Sequence, residues 1–330
     1  MRKLSRNKIT ATICIPAMGW NKSLLRCLES LNYQTLMTFE VIIILGNKSR
    51  ITDNRILKKY KYPISISRQQ IPGLVAAMNL GLENAKSKIF IRIDDDVVCD
   101  PKWFEKICKP FENPDVGGVT GPTIVPDGNL NNRSILKFIK QVKLNNNIFL
   151  LPFKNLFLDF LYEGKLLDVS TFVSSGNFTF GSNFEKSIPK NEKIVNNLEA
   201  CNFAVKTDLL NEIGGFDMIF SKGLGEYHEA DIAQKIREKG FILVFQPEAK
   251  VNHLVGRIKQ RGDAYGRMSN FMIFYKRHFK ITNLSTFVRF CLNVSIQNFY
   301  HIGIFFKTGN ISALGSIWAT ISEFNGIKFK

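Results

Sequence analysis

Residues 88–96 read KIFIRIDDD, an apolar stretch that runs directly into Asp94, Asp95 and Asp96. Its length and its apolar content predict a buried strand. In open α/β sheets, ligands bind just beyond the carboxyl ends of parallel strands. The three carboxylates therefore lie where a site is expected.

Three successive carboxylates repel one another unless they are exposed or bound to a cation. Asp94 and Asp96 could serve one divalent ion together with diphosphate oxygens, and oxygen ligands of this kind suit Mg²⁺ or Mn²⁺. A solvated acidic turn that caps the helix near Pro101 is the alternative. The triplet alone leaves both interpretations open, and its position after a strand favours a site.

The sequence around the triplet alternates between strand and helix patterns, which predicts an α/β fold with a mainly parallel, Rossmann-like sheet flanked by helices. Residues 127–197 break the alternation and contain the apolar stretch 148–162, so they are interpreted as an insertion that could cover a cleft or touch a membrane. Beyond residue 281, aromatic residues mix with basic ones, as in a membrane-surface element. Strands are predicted over residues 11–15, 40–45, 62–67, 88–93 and 242–245, and helices over 23–34, 74–84, 207–213 and 229–239.

Composition restricts the class of protein. The chain has 330 residues and 45% hydrophobic content, which fits one large ordered domain. Its 45 basic and 28 acidic residues give a net charge of +17, which favours anionic partners: nucleotide diphosphates, lipid headgroups or nucleic acid. The six cysteines have neither zinc nor disulfide spacing and suggest a reducing cytosol. The short apolar run 9–15 is interpreted as a strand rather than a signal peptide, and no stretch approaches the length of a spanning helix.

A second charged group opens the predicted helix 229–239. His228, Glu229 and Asp231 lie at its start and basic residues at its end, an arrangement that the helix dipole favours without any catalytic role. The functional interpretation is that Glu229 acts as a general base on an acceptor hydroxyl. This segment alone favours the dipole explanation.

Four longer motifs in order carry a resemblance to a known family. The segments ATICIPAMGWNKSLLRCLESLNYQT, GLVAAMNLGLENAKSKIFIRIDDDVVCDPKWFE, LEACNFAVKTDLLNEIGGFD and HEADIAQKIREKGFILVFQPEAKVNHL resemble the inverting family 2 glycosyltransferases, which have the GT-A fold. The resemblance covers about residues 10–280. It implies a nucleotide-sugar-binding half in residues 1–126 and an acceptor-binding half in 198–280. The residue pattern adds the insertion in 127–197 and a C-terminal amphipathic helical region in 281–330.

The same resemblance implies roles for single residues. Asp94 corresponds to the first Asp of the DxD motif and contacts the donor, Asp96 is the metal ligand, and His253 lies near the metal. Glu229 is the catalytic base and Asp231 the second acid of its motif. The other implied contacts are Pro16, Ala17, Asn79 and Asp95 on the donor side, and Asn202 and His228 on the acceptor side.

The sequence departs from the family at the base-recognition position. Where the family commonly has VDDGS, residues 44–49 read ILGNKS. Asn47 or Asp53 could replace the missing Asp, and a donor with a base other than uracil is an equal alternative. The family usually has an Arg immediately before the Asn that corresponds to Asn79, and this chain has Met78 there.

The resulting hypothesis is a metal-dependent inverting glycosyltransferase, with Mg²⁺ or Mn²⁺ as cofactor. It moves a sugar from a nucleotide-sugar to a hydroxyl of a lipid-linked or polysaccharide acceptor, and it works at the inner face of the cell membrane on an anionic surface, without nucleic acid. The alternatives are a non-catalytic basic protein that binds membrane or nucleic acid, and a sugar-phosphate nucleotidyltransferase. The second would carry a Gly-rich, Arg-containing loop after the first strand, which IPAMGWNKS lacks.

Overall fold

An eight-stranded mixed sheet forms the centre of the protein, in the strand order β3-β2-β1-β4-β9-β6-β10-β8. The computed structural model describes residues 9–46, 54–132, 134–141, 158–254 and 263–327. The strands are β1 (Ala11–Ala17), β2 (Phe39–Leu45), β3 (Ile64–Arg68), β4 (Ile89–Ile93), β5 (Val97–Cys99), β6 (Val116–Thr120), β7 (Thr123–Ile124), β8 (Lys193–Val195), β9 (Asn202–Lys206), β10 (Ile242–Phe245) and β11 (Val251–His253).

Helices cover both faces of this sheet. One apolar core lies under α1 and α3, and the other lies under α2, α5, α6 and α7, so the sheet is the middle of three layers. The helices are α1 (Lys22–Leu31), α2 (Leu74–Asn84), α3 (Trp103–Cys108), α4 (Ser134–Ile139), α5 (Thr207–Glu212), α6 (His228–Glu238), α7 (Ala264–His278), α8 (Leu284–Thr308) and α9 (Gly315–Glu323).

The predicted elements are present, with small differences at their ends. Helix 74–84 and strand 242–245 have the predicted bounds. The side chain of Asn21 caps α1 as predicted, accepting hydrogen bonds from Ser23 N at 2.9 Å and Leu24 N at 3.0 Å. Helix α1 ends three residues earlier than predicted, where the Asn32 N–H donates to the Glu29 carbonyl at 3.0 Å. The side chain of Gln34 then donates to the carbonyl of Asp100 at 2.8 Å.

Strand β9 joins the two halves of the sheet. It lies antiparallel between β4 and β6, and its first residue, Asn202, is opposite Ile93. Strands β3, β2, β1 and β4 are parallel to one another, and β6 is parallel to β10. The start of β9 therefore lies at the same edge of the sheet as the end of β4.

A second, three-stranded sheet stands next to that edge, in the order β5-β11-β7. Strand β5 follows the Asp triplet directly and pairs antiparallel with β11, which places His253 opposite Val97. The N–H of Leu254 also donates to the carbonyl of Asp96 at 2.9 Å. This pairing fixes His253 next to the triplet, although 157 positions separate it from Asp96 in the sequence.

The C-terminal helices divide into a buried and an exposed part. Helix α7 lies in the core through Phe271, Phe274 and Tyr275, and α9 packs against it. Helix α8 buries Phe290 but exposes Phe299 and Phe306. Among the described residues, no helix has the length and apolar character needed to cross a membrane.

The segment between β7 and β8 has a small core of its own. Leu136, Leu161, Tyr162 and Phe184 are buried in it, and Leu292 of α8 packs against the same cluster. Part of the apolar stretch 148–162 lies outside the described residues. The predicted insertion thus packs against the C-terminal region.

Candidate active site

The ends of β1 and β4 and the start of β9 lie at the carboxyl edge of the sheet. Parallel strands β1 and β4 end there, which places Pro16 and Ala17 on the same edge as Asp94. Cys201 immediately precedes the antiparallel strand β9, so it lies at this edge as well. The position of the Asp triplet after a strand therefore indicated the edge correctly, and the topology adds residues from distant parts of the chain.

The carboxylate of Asp94 is held by a buried arginine. Arg92 lies two residues earlier on β4, its residue is 2% exposed, and its Nη2 donates to Asp94 Oδ1 at 2.7 Å. Its Nη1 lies 3.5 Å from Nε2 of His228. A buried guanidinium is costly unless it is paired. Arg92 therefore links the Asp triplet to the start of α6.

Asp96 and His253 form the second contact of the triplet. His253 Nε2 lies 3.1 Å from Asp96 Oδ1, and its Nδ1 lies 3.6 Å from Sγ of Cys201. Burial acts to lower the pKa of His253, but Cys201 and the carboxylate of Asp96 outweigh it and raise that pKa to about 11. The structure thus brings together two residues that were predicted near the metal, and it adds a thiol.

Asp95 lies between these two contacts. Burial, with the negative charges of Asp96 and Asp94, raises the pKa of Asp95 to about 7, although Asn21 hydrogen-bonds to it. Burial is the larger cause of this shift, and the repulsion from the two neighbouring carboxylates adds to it. A cation bound at the triplet would reduce that repulsion.

Glu229 presents a carboxylate oxygen without a hydrogen bond at the start of α6. Its Oε2 has no hydrogen-bond partner among the described residues. His228 Nδ1 lies 3.0 Å from this oxygen, but that nitrogen bonds to the carbonyl of Gly225 at 2.5 Å instead. Burial raises the pKa of Glu229, and Arg92 opposes the rise. Oε2 is buried, but the Glu229 side chain as a whole is 17% exposed. A partly exposed carboxylate with a raised pKa is suited to accept a proton.

Backbone geometry fixes where α6 begins. Tyr227 precedes the helix with φ +73°, in the left-handed region, and its ring packs against Phe271 and Phe274 of α7. A non-glycine residue holds this conformation only where the surrounding packing determines it. The packing of Tyr227 therefore sets the position of Glu229, two residues later.

His228 has a different environment from the one predicted. Its side chain is 1% exposed, and burial followed by the positive charge of Arg92 lowers its pKa to about 3. The neutral ring contacts Gly225 on one side and Arg92 on the other. The structure places His228 under the site as a support, which corrects the prediction that it contacts the acceptor.

Asp231 also lies away from the free oxygen of Glu229. Its side chain is fully buried and contacts two cations, Lys235 at 2.8 Å and Arg277 at 2.7 Å, and the ring of His278 at 2.8 Å. Burial acts to raise the pKa of Asp231, but hydrogen bonds from these partners lower it to about 2. Asp231 fastens α6 to α7, so its predicted catalytic role is replaced by a structural one.

Asn202 and Asn79 use their amides within the protein. Asn202 is 0% exposed, accepts a hydrogen bond from Trp103 Nε1 at 2.8 Å and donates to two backbone carbonyls. The side chain of Asn79 makes two hydrogen bonds to the backbone of Phe216, at 2.8 and 2.9 Å. These contacts replace the predicted acceptor role of Asn202 and occupy the amide of Asn79, which was predicted to contact the donor.

Some predicted residues lie outside the described residues. Asn47 and Asp53, the candidates for base recognition, are among them. Sequence reasoning missed Arg92 and Cys201, because a single Arg inside a strand and a single Cys carry no spacing signal. An Arg in an otherwise apolar strand was the one available indication that something anionic lies beside it.

The sequence profile described as glycosyl transferase family 2 matches residues 12–181, just over half of the chain. The chain belongs to glycosyl transferase family 2. As a family member it is an enzyme, a glycosyltransferase, which excludes both the non-catalytic binding protein and the nucleotidyltransferase. A relative in the archaeon Haloferax volcanii, glucosyl-dolichyl phosphate glucuronosyltransferase, is 23% identical over 254 residues, which cover 74% of this chain and 69% of the relative.

Two solved glycosyltransferase structures share the fold. GalNAc-T7 with UDP, GalNAc and Mn²⁺ superposes with a TM-score of 0.56 at 15% identity, covering 82% of this chain and 48% of GalNAc-T7. The mannosyltransferase PcManGT of Pyrobaculum calidifontis, with GDP-Man and Mn²⁺, has a TM-score of 0.52 at 14% identity and covers 96% and 75% of the two chains. The predicted GT-A fold is therefore confirmed.

Proposed function

We propose that this family 2 glycosyltransferase moves a sugar from a nucleotide-sugar donor to a hydroxyl group of an acceptor, with inversion at the anomeric carbon and with a divalent metal ion. The observation that carries the proposal is the Glu229 carboxylate, whose side chain is 17% exposed and which His228 and Arg92 connect to the Asp triplet. Arg92 thus supports both a proton acceptor and an acidic cluster. This arrangement suits a displacement reaction between two bound substrates.

Glu229, Arg92 and His228 have different roles in the proposed reaction. Glu229 accepts the proton of the acceptor hydroxyl, and its raised pKa brings its basicity closer to that of a group working near neutral pH. Arg92 holds Asp94 for contact with the donor. Neutral His228 donates its Nδ1 proton to the carbonyl of Gly225 and so does not donate it to Glu229. The Glu229 carboxylate is left to accept the proton of the acceptor hydroxyl.

Asp96 and His253 fit a divalent metal. A carboxylate oxygen and an imidazole nitrogen lie 3.1 Å apart, and the neighbouring carboxylates repel one another without a cation. Both ligand types suit Mn²⁺, and the carboxylate suits Mg²⁺. Such an ion, when bound, would neutralise the charge of the departing nucleoside diphosphate.

We further propose a lipid-linked or polysaccharide acceptor at the inner face of the cell membrane. The Haloferax relative is named for a glucosyl-dolichyl phosphate substrate. Helix α8 has no acidic residue and exposes Leu284, Val288, Phe299 and Phe306, whose successive spacings of 4, 11 and 7 residues are close to whole helical turns and so place them on one face. With a net charge of +17, a surface of this kind suits an anionic bilayer.

Release of nucleoside diphosphate from a panel of UDP-, GDP- and dTDP-sugars, with Mn²⁺ or Mg²⁺ and with a chelator, tests the proposal. One donor should be hydrolysed slowly in a metal-dependent way, and Asp96→Ala should abolish this release. The control is Asp115→Ala, a carboxylate that precedes β6 at the opposite edge of the sheet. Release that survives both the chelator and Asp96→Ala would contradict the metal role.

A further inference from the structure

Cys201 meets His253 and Asp94 at the carboxyl edge of the sheet. One ligand atom from each of these three residues lies within 4.8 Å of the other two. Cys201 and His253 are separated by 52 positions in sequence and are both buried, while the side chain of Asp94 is 28% exposed. The group therefore has a soft ligand, an imidazole and a carboxylate, with its open side at Asp94.

The distances fit an ion shared by the thiol and the imidazole. Zinc–sulfur and zinc–nitrogen bonds of about 2.3 and 2.05 Å at a tetrahedral angle put the two ligand atoms about 3.6 Å apart. Sγ of Cys201 lies 3.6 Å from Nδ1 of His253. Without any rearrangement of these two side chains, their separation is that of a ligand pair.

The other nitrogen of His253 supports the same assignment. Its Nε2 lies 3.1 Å from Asp96 Oδ1. Imidazoles that bind metals almost always donate their second N–H to a carboxylate, a carbonyl or water, which fixes the ring and increases its basicity. Asp96 occupies that position if Nδ1 is the ligand.

We propose that Cys201, Nδ1 of His253 and Asp94 form a binding site for a thiophilic divalent ion of the Zn²⁺ or Cd²⁺ class, with Asp96 as the outer partner of the imidazole. Three protein ligands leave the fourth position open, as in zinc sites that exchange their fourth ligand. As the ion binds, the protons on Sγ of Cys201 and on Nδ1 of His253 are released to solvent, while Nε2 keeps its proton and donates it to Asp96.

This site would compete with the transfer reaction. It recruits Asp94 and His253, which the proposed function uses for the donor and for a hard metal ion, so this consequence rests on the proposed function. A thiolate favours Zn²⁺ and Cd²⁺ over Mg²⁺ and Mn²⁺. The soft ion is therefore expected to inhibit the enzyme at concentrations far below those of the hard cofactor.

Titration of the full chain with Cd²⁺ tests the site directly, because cadmium–thiolate bonds absorb in the ultraviolet. The wild-type protein should develop this band with one equivalent of Cd²⁺. Cys201→Ala should lose the band and bind Cd²⁺ at least about tenfold more weakly, whereas Asp96→Asn should keep the band and bind about 10- to 100-fold more weakly. Cys291→Ala, which removes a thiol of helix α8, is the matched control and should behave as the wild type.

A band that survives Cys201→Ala, or an unchanged Cd²⁺ affinity in that variant, would overturn the assignment and leave only an S–H···N hydrogen bond. Thermal unfolding of Cys201→Ala and Cys201→Ser shows whether either variant is folded, and one folded variant suffices. Donor hydrolysis is measured in parallel. An intact Cys201-dependent band in a protein that hydrolyses no donor would contradict the proposed function alone, and an active protein without the band would contradict the metal site alone.

Discussion

Arg92 and Asp94 form an ion pair of 2.7 Å at the carboxyl end of β4, with the arginine buried and the aspartate partly exposed. The guanidinium points to the face of the sheet that α6 covers, where it also reaches His228 at 3.5 Å. A change at Arg92 is thus transmitted both to the acidic cluster and to the start of the helix that carries Glu229.

Replacing Arg92 with Met should weaken both folding and transfer. Loss of a hydrogen bond to a charged group costs about 1.5–3 kcal/mol of unfolding free energy, and at least about a tenfold loss of transfer follows if Asp94 and Glu229 shift. Arg92→Lys keeps the charge but lacks the planar guanidinium group. Its unfolding free energy and its transfer rate should therefore lie between those of the wild type and of Arg92→Met. Chemical unfolding and transfer rates measure this. Arg237→Met, on the exposed side of α6, is the control, and equal losses in both variants would contradict the linking role.

Glu229→Gln should leave donor binding intact and reduce transfer by about 10²–10⁴-fold, because the amide cannot accept the acceptor proton. Because burial raises the pKa of Glu229, the wild-type rate should rise as pH increases through that pKa and fall below it. The variant should lack this decline of the rate at low pH.

Calorimetry with nucleoside diphosphate and Mn²⁺ measures binding separately from turnover. Glu238→Gln, at the exposed end of the same helix, should retain activity; full transfer by Glu229→Gln would exclude the base role.

Asp231 should act on stability rather than on chemistry. Its pKa is lowered from 3.8 to about 2 in the folded protein, so its stabilisation is present above about pH 4 and is lost as pH falls toward 2. The linked free energy is roughly 2 kcal/mol. Asp231→Asn should therefore unfold more easily at neutral pH and lose this part of the acid dependence. Urea unfolding between pH 2 and 7 measures the unfolding free energy and its dependence on pH. Lys239→Met, which removes the exposed Lys239–Glu212 pair, is the control.

The exposed aromatic residues of α8 should determine membrane binding. Phe299 and Phe306 are 70% and 80% exposed, and each contributes about 1.5–3 kcal/mol when it is buried in an apolar environment. Replacement of both with Ser should abolish flotation with anionic vesicles and leave hydrolysis of the soluble donor unchanged. The matched control replaces Tyr33 and Ile194, which are exposed elsewhere. Flotation that persists in the first variant, or disappears equally in the control, would contradict a role for this face.

Local patterns predicted the parts of this structure that depend on neighbouring residues. The run 88–93 and its acidic end located a strand and the edge where the site lies. The pattern could not reveal that β9 runs antiparallel beside β4 or that β11 pairs with β5, since both pairings depend on contacts between distant segments. For this reason the spacing of the six cysteines, Cys201 among them, gave no sign of a metal site.

Residue types alone also misassigned polar side chains. Asn202, His228 and Asp231 have the chemistry of binding residues, but whether a side chain faces a cleft depends on partners such as Trp103 and Arg277. Each of these partners lies at least 46 positions away from the residue it contacts. Burial and partners, which determine the role of a polar group, become visible only in the folded chain.

Strand β9 also imposes an order on the synthesis of this protein. Strands β4 and β6 leave the ribosome before the strand that must lie between them, and residues 94–201 separate the end of β4 from the start of β9. At about 5–20 residues per second, this interval lasts on the order of 10 s. During it, the backbone groups along one edge of β4 have no partner, and such an edge readily pairs with other chains. The nascent protein is therefore most prone to aggregation while its acidic triplet already exists but the strand beside it does not.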